Sequence, residues 1–231
     1  MVSVSLFHHS VIRPTALQKG YRNFMEIGVS GGKHTEMLLE LCSIVKGSLV
    51  CIDPVAPPLR TRFKILPNPK AKFINKPSLE ALPELIKKRR IFDLIIVDGD
   101  HNWYTVFNEL LYLSKLLNPA GTIHLHDVAW PYARRDMYYL PERIPQEFRH
   151  QYARRGIIRG QSELVESGGL NPRLYNAQFE GGPRNGVYTA IEDFIGQEAG
   201  AWNLHIFEEN FGLGCLTRAH SESNQIKDDT P

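Results

Sequence analysis

Asp98-Gly99-Asp100-His101 and His126-Asp127 are the groups best suited to chemistry in this chain. Each closes a run that reads as a β-strand, 92–100 for the first and 122–128 for the second. Strand C-termini are where open α/β sheets place their sites, so Asp98, Asp100 and Asp127 should converge on one crevice. Three carboxylates this close repel unless a cation or shifted pKa values relieve them. Oxygen donors of this kind suit Mg²⁺, Mn²⁺ or Ca²⁺. The competing reading is that one carboxylate caps the next helix while another holds a cofactor or a buried arginine.

A second constellation lies upstream in Glu26-Ile27-Gly28-Val29-Ser30-Gly31-Gly32-Lys33-His34-Thr35. Glycines here allow a sharp turn from strand to helix and let a ligand lie against bare peptide N–H groups. A phosphate-binding P-loop needs four residues between its first glycine and Gly-Lys, then Ser or Thr; three residues intervene here and His34 follows. A nicotinamide fingerprint needs glycine at position 30, which is Ser30. What remains is a looser turn preceded by an acid. The Glu26 carboxylate can meet a cationic ligand group, directly or through water. Asp53 ends the next strand 25 positions after Gly28, where a carboxylate can accept from both hydroxyls of a ribose. The alternative is an ordinary glycine-rich βα turn, with Asp53-Pro54 as a strand terminator.

The elements that must position these groups alternate along the chain. Residues 24–29, 48–53, 70–75, 92–100 and 122–128 read as strands, and 33–45, 78–90 and 103–117 as helices between them. The run 94–97 is continuously apolar, as expected of a strand covered on both faces. Residues 1–22 form a leading segment, helical over 15–20, and Asn118-Pro119-Ala120-Gly121 is a turn. The segment 129–185 is irregular, a helix resumes over 186–197, and 202–212 with 213–218 make a closing hairpin. The order predicts an α/β, doubly wound, Rossmann-like sheet of seven strands with a terminal antiparallel hairpin and an inserted lid. We expect one domain over 1–218, the lid over about 129–185, and a disordered polar tail over 219–231.

Composition sets the outer limits. The 231 residues, 42% hydrophobic and 23% charged, suit one globular domain and are too few for two enzymatic ones. A net charge of +2 gives no global pull toward nucleic acid or a membrane surface. Cys42, Cys51 and Cys215 form no pair or ligand-spaced cluster, which predicts buried thiols and a reducing, cytoplasmic setting. The first ten residues lack the basic start and apolar stretch of a secretory signal.

Four stretches together resemble the class I S-adenosylmethionine-dependent O-methyltransferases of the macrolide-sugar and catechol type. They are Glu26-Ile27-Gly28 with Gly32 and Thr35, Cys51-Ile52-Asp53-Pro54, residues 95–101 ending in Asp98-Gly99-Asp100-His101, and Gly121 through Asp127-Val128. The resemblance covers about 25–130 well and the terminal hairpin loosely. It implies S-adenosylmethionine held by Glu26, Gly28, Ser30, Gly32, Thr35, Asp53, Ser78 and Asp98. It further implies Mg²⁺ on Asp98 and Asp127, with Asp98, Asp100 and His101 as the catalytic set. Asp100 matches the residue proposed as base in the sugar-modifying members. Val128 departs from the pattern, since a third metal ligand often stands there; His101 or Asp100 would have to complete the set. Residues 130–139 also look like a subgroup of largely uncharacterised methyltransferases, some suspected of acting on glycans or natural products.

The lid carries nine arginines and six acidic residues over 131–185. Trp130, Tyr132, Tyr138 and Tyr139 interleave with Arg134 and Arg135, and this set is the predicted substrate-contacting group. Arginine forks suit carboxylate or phosphate, and aromatic faces suit sugar or aryl rings. In the alternative, Arg134 and Arg135 are solvated or pair with Glu142 and Asp136. Single-stranded RNA could use similar chemistry, but the near-neutral charge argues against nucleic acid, and nothing points to a membrane. The expected partner is a small-molecule or glycan acceptor, with residues 1–22 and the lid as surfaces for a homodimer. Two other readings stay open: N-methylation, and a non-catalytic cofactor-binding partner in a biosynthetic assembly. A nicotinamide-dependent oxidoreductase is disfavoured by Ser30.

Overall fold

The computed structural model describes residues 3–58, 61, 70–198 and 201–219. The tail expected to be disordered lies outside them from residue 220 onward. Five parallel strands form the centre: β1 (Asn23–Ile27), β2 (Ser48–Ile52), β3 (Ala71–Ile74), β4 (Phe92–Val97) and β5 (Leu117–His126). The segment 129–185, expected to be irregular, contains three short strands: β6 (Met137–Tyr138), β7 (Tyr152–Arg154) and β8 (Tyr175–Ala177). The last two strands are β9 (Trp202–Phe207) and β10 (Leu213–Arg218). The main sheet runs β3-β2-β1-β4-β5-β10-β9, with β10 antiparallel to both neighbours. The predicted seven-stranded doubly wound sheet with its reversed final hairpin is therefore observed.

Helices cover both faces. They are α1 (Arg13–Lys19), α2 (Lys33–Val45), α3 (Ser78–Lys87), α4 (Trp103–Leu116) and α5 (Val187–Gln197). Side chains alternate across a strand, so neighbours in sequence serve different cores. Phe24 joins Leu38, Leu41 and Leu94 under α2, whereas Met25 joins Leu110, Ile123 and Phe194 under α4 and α5. Every residue of β4 is buried, which explains the apolar run Leu94–Val97. The leading helix starts earlier than expected, at Arg13, with Pro14 in its first turn where a missing N–H costs nothing.

Two elements depart from expectation in informative ways. The turn expected at 118–121 is an irregular stretch within β5: Leu117 pairs with Phe92, yet Thr122 already pairs with Leu94. Asn118 Nδ2 donates to Asp93 Oδ1 at 3.0 Å and Tyr21 OH donates to the Ala120 carbonyl at 2.6 Å, which tie this stretch to β4 and to the segment before β1. The second departure is the insert, whose strands form a sheet in the order β6-β8-β7. It has a small core of Tyr132, Met137, Ile157 and Leu164. Strands of two or three residues are too short to leave a period-2 signal in sequence.

The insert is fastened to the domain by Asp136. Its carboxylate accepts from the backbone N–H of Trp103 and of Gly186 at 2.7 Å each, and from Tyr138 OH at 2.8 Å. Cys42 and Cys51 are buried as expected, while Cys215 is only half-buried, and all three thiols are free. Among the described residues no helix is long and apolar enough to cross a membrane.

Candidate active site

The strand order reverses between β1 and β4, the switch point outside which open α/β sheets bind their ligands. Gly28 turns the chain there with φ +89°, and a Cβ on it would lie 2.2 Å from the Asp98 carbonyl oxygen. Only glycine permits that close approach of the two strand ends. Gly32 caps α2 with φ +77° and packs against Thr61 in the same way.

Asp53 closes β2 and faces this turn. Its Oδ2 accepts from Val29 N at 2.7 Å and Ser30 N at 3.2 Å, and its Oδ1 from Val55 N at 2.7 Å. Oδ2 is thereby filled, while Oδ1 keeps a further lone pair, so the site still has acceptor capacity for a ribose hydroxyl. Glu26 lies deeper than its predicted role suggests, at 1% exposure. Its Oε1 is 2.8 Å from His34 Nδ1, and its Oε2 accepts from the Thr35 hydroxyl. Thr35, assigned to the cofactor from sequence, is thus a partner of Glu26 inside the fold. Ser78 is the first residue of α3 and is buried.

Asp98, His101 and Asp127 come together at the ends of β4 and β5. One ligand atom from each lies within 4.8 Å of the others, a spacing that fits a single divalent cation. His101 Nδ1 is 3.1 Å from Asp127 Oδ2, and His126 Nδ1 is 3.1 Å from Asp98 Oδ1 and 3.0 Å from Asp127 Oδ2. Asp127 has φ +61°, an uncommon backbone for a non-glycine residue, and such strain concentrates at functional sites. Burial alone would raise the Asp127 carboxyl, but His101 and His126 together hold it below its ordinary value. Burial likewise opposes a charge on His126. Hydrogen bonds to Asp127 and Asp98, and their charges, outweigh it and raise this imidazole to about 10.

Asp100 stands apart from that trio. Its Oδ2 accepts from Thr105 at 3.1 Å, and burial raises its carboxyl. The leading segment reaches over the site, where Val4 N donates to Asp98 Oδ2 at 3.2 Å and Phe7 meets His126 edge-on at 6.1 Å.

The predicted substrate residues divide. Tyr132 stacks on His101 at 5.6 Å, and Tyr139, 46% exposed, lies tilted against it at 6.0 Å. Trp130 is half-buried beside Phe211 and Arg159. Arg135 and Tyr138 are instead fully buried within the insert. Arg135 donates to the Ala177 and Ser162 carbonyls at 2.6 and 2.5 Å, and its ion-pair partner is Glu180 at 3.6 Å. Arg134 pairs with Glu192 on α5 at 2.7 Å. Neither arginine takes Glu142 or Asp136, because the insert folds their side chains toward other elements.

Sequence reasoning passed over three groups. His126 was read only as a strand end, and Val4 carried no signal, because its contribution is a backbone N–H. Glu109 did leave a trace, as a charged residue on the apolar stripe Val106, Leu110, Leu113 of α4.

The sheet order and the reversed β10, with the glycine turn beside two acidic strand ends, give this chain the fold of the solved methyltransferases it is similar to. Residues 25–128 match the methyltransferase-domain family. Comparison with curated proteins finds no match. Among solved structures, the chain is similar to the methyltransferase PaMTH1 of Podospora anserina bound to S-adenosylhomocysteine (SAH). The two share 16% identity with a TM-score of 0.55, over 92% of this chain and 78% of that one. An O-methyltransferase from Bacillus cereus in complex with SAH gives 16% identity and TM-score 0.54, over 94% and 84% of the two chains. The MycE methyltransferase of the mycinamycin pathway, in complex with Mg, SAH and mycinamycin VI, gives 16% and 0.55, over 96% of this chain and 52% of that one.

Proposed function

We propose that this protein transfers the methyl group of S-adenosylmethionine to a hydroxyl oxygen of a small molecule, a sugar-containing natural product or a glycan, assisted by a divalent cation such as Mg²⁺. The observation that carries the reading is the approach of Asp98, His101 and Asp127 within 4.8 Å beside the Gly28 turn. Asp98 and Asp127 would hold the cation, with His101 as the third donor or as the base. A bound cation lowers the pKa of an acceptor hydroxyl and orients it. Methyl transfer from a sulfonium is an in-line displacement, so positioning supplies much of the rate.

In this reading Asp53 takes the ribose of the cofactor, and Tyr132, Tyr139 and Trp130 offer faces to the acceptor. Proton removal falls to His101 or Asp100. With Nδ1–H directed at Asp127, the second nitrogen of His101 carries the lone pair that a base needs. The MycE complex, which holds Mg, SAH and mycinamycin VI, is consistent with this assignment.

Calorimetric titration with SAH, with and without Mg²⁺, tests the cofactor, and a screen of hydroxylated sugars and polyketides then tests the acceptor. Asp98→Ala and Asp127→Ala should each abolish turnover and spare SAH binding. Full activity in both variants would remove the cation from the mechanism, and no SAH binding in either condition would remove the whole reading.

A further inference from the structure

Three arginines of the insert are neutralised by the protein itself. Arg134 pairs with Glu192, Arg135 with Glu180, and Arg155 with Glu166 at 3.1 Å. Arg159 differs from them. No carboxylate pairs with it among the described residues, and its guanidinium lies over the Trp130 ring, 5.9 Å from the centroid. The side chain is exposed, so its N–H groups are open to an incoming ligand. Segment 131–185 has nine arginines and no lysine. The planar fork of arginine, unlike an ammonium, grips carboxylate or phosphate through two parallel hydrogen bonds.

Where Arg159 stands decides what it can meet. Trp130 follows Asp127 by three residues, and Tyr132, two residues further on, stacks on His101. Ile157, two residues before Arg159, shares the small core of the insert with Tyr132, and Trp130 packs against that core. Arg159 therefore belongs to the wall whose aromatic faces are offered to the acceptor. The turn that presents it is braced on both sides. Gln161 N donates to the Ile158 carbonyl at 3.1 Å, which closes a four-residue turn with Arg159 and Gly160 at its corners. Gly160 supplies the left-handed φ of +84°. Before the turn, Ile157 and Leu170 exchange backbone hydrogen bonds at 3.0 and 2.8 Å; after it, Arg135 donates to the Ser162 carbonyl at 2.5 Å. A fork fixed at its base and rested on an indole loses less freedom on gripping an anion than one free in water.

We propose that Arg159 recognises an oxyanion, carboxylate or phosphate, carried by the acceptor, so that the substrate is an anionic hydroxylated sugar or aryl compound. The proposal rests on the methyl-transfer reading and deepens it by naming the charge of the acceptor. It makes Arg159 a specificity-determining residue, in the part that sequence reasoning gave to Arg134 and Arg135. Arg135, through the Ser162 carbonyl, positions the turn that carries it.

The test is calorimetric titration of the protein loaded with Mg²⁺ and SAH, using matched pairs of probes. These are glucuronate and its methyl ester, glucose 6-phosphate and glucose, and a dihydroxybenzoate and its methyl ester. In at least one pair the anionic member should bind about fivefold tighter than the neutral one, the size of a well-formed exposed ion pair. Arg159→Gln should bring the two members of that pair level. Arg159→Lys keeps the charge without the fork and should retain part of the preference. A preference confined to the carboxylates assigns a uronic or aryl acid, and one confined to the sugar phosphate assigns a phosphorylated acceptor. Equal affinity within every pair, or no binding of any probe, would overturn the proposal. So would a preference that survives in Arg159→Gln, because the anion would then be read by the bound cation or by another arginine. Failure of wild type to bind SAH is a different outcome, which strikes the methyl-transfer reading and this proposal with it.

Discussion

The imidazole of His126 lies between Asp98 and Asp127, with Nδ1 3.1 Å from one carboxylate and 3.0 Å from the other. Its Nε2 is 2.9 Å from the Asn210 carbonyl oxygen. Every hydrogen-bond partner of the two ring nitrogens is thus an acceptor, so both nitrogens must donate and the ring carries a positive charge. That cation holds two carboxylates together at the site proposed for a metal. His126→Ala should therefore strip both of their shared donor. Breaking a buried charged network costs about 3–5 kcal/mol, a fall in melting temperature of roughly 6–20 °C for a domain of this size. Added Mg²⁺ should recover more of this loss in the variant than it adds to wild type, and a thermal scan with and without the ion measures both effects. Equal gains in the two proteins would separate His126 from the cation site.

Much of this arrangement was legible in the sequence, and the limits have physical causes. Asp98 and Asp127 could be placed together because apolar runs mark β4 and β5, and the topology rule brings strand ends to one edge. Glycine spacing likewise located the Gly28 turn, whose φ and close contact with Asp98 leave room for no other residue. Arg135 and Tyr138 were expected at the substrate because their side chains suit recognition. Residue type does not reveal that Arg135 will find three backbone carbonyls inside a small sheet. Nor does composition show that the insert has strands at all, since β6 holds two residues and pairs with β8, 37 to 39 positions further on. Glu26 lies near the end of β1, where the apolar run puts it, but its partners His34 and Thr35 follow from how α2 docks.

Arg135 supplies a test of how far the insert depends on a single buried cation. Its guanidinium satisfies the Ala177 and Ser162 carbonyls and faces Glu180. Arg135→Met fits the apolar surroundings but leaves those carbonyls and Glu180 without their donor. A loss of about 3 kcal/mol or more is expected. Hydrogen exchange should show the cost as faster opening of β6, β7 and β8, with the central strands β1 and β4 protected as before. Uniform loss of protection across both sheets would mean that the insert and the domain unfold as one unit.

Two neighbouring glycines make opposite predictions. A methyl group on Gly28 would meet the Asp98 carbonyl at 2.2 Å in a backbone of φ +89°, whereas one on Gly31 meets nothing within 4 Å. Gly28→Ala should cost about 3 kcal/mol or more through strain and displaced strand ends, and should weaken SAH binding. Gly31→Ala should change melting temperature by no more than a degree or two. Unfolding curves and SAH titration of the two variants side by side decide the matter. A tolerated alanine at 28 would show that the β1 and β4 ends can move apart.

Glu109 makes the stability of this protein depend on pH in a direction opposite to the usual acid denaturation. Burial, opposed by the Ser78 hydrogen bond and joined by the Asp100 charge, pushes its carboxyl up to about 8 from an ordinary value near 4.5. The folded state then binds this proton more tightly than the unfolded chain does. Its contribution is full below about pH 4.5 and is lost as pH rises through 8. Each unit of difference corresponds to about 1.4 kcal/mol, so the loss amounts to several kcal/mol. Glu109→Gln removes the titration and keeps the shape. The variant should match wild type near pH 4.5 and gain on it steadily toward pH 8.5, while groups common to both proteins, Asp100 among them, largely cancel in the difference. Urea unfolding at five pH values between these limits gives that difference directly. A flat difference would mean that Glu109 is already ionised in the folded protein, with a donor beside it that offsets its burial.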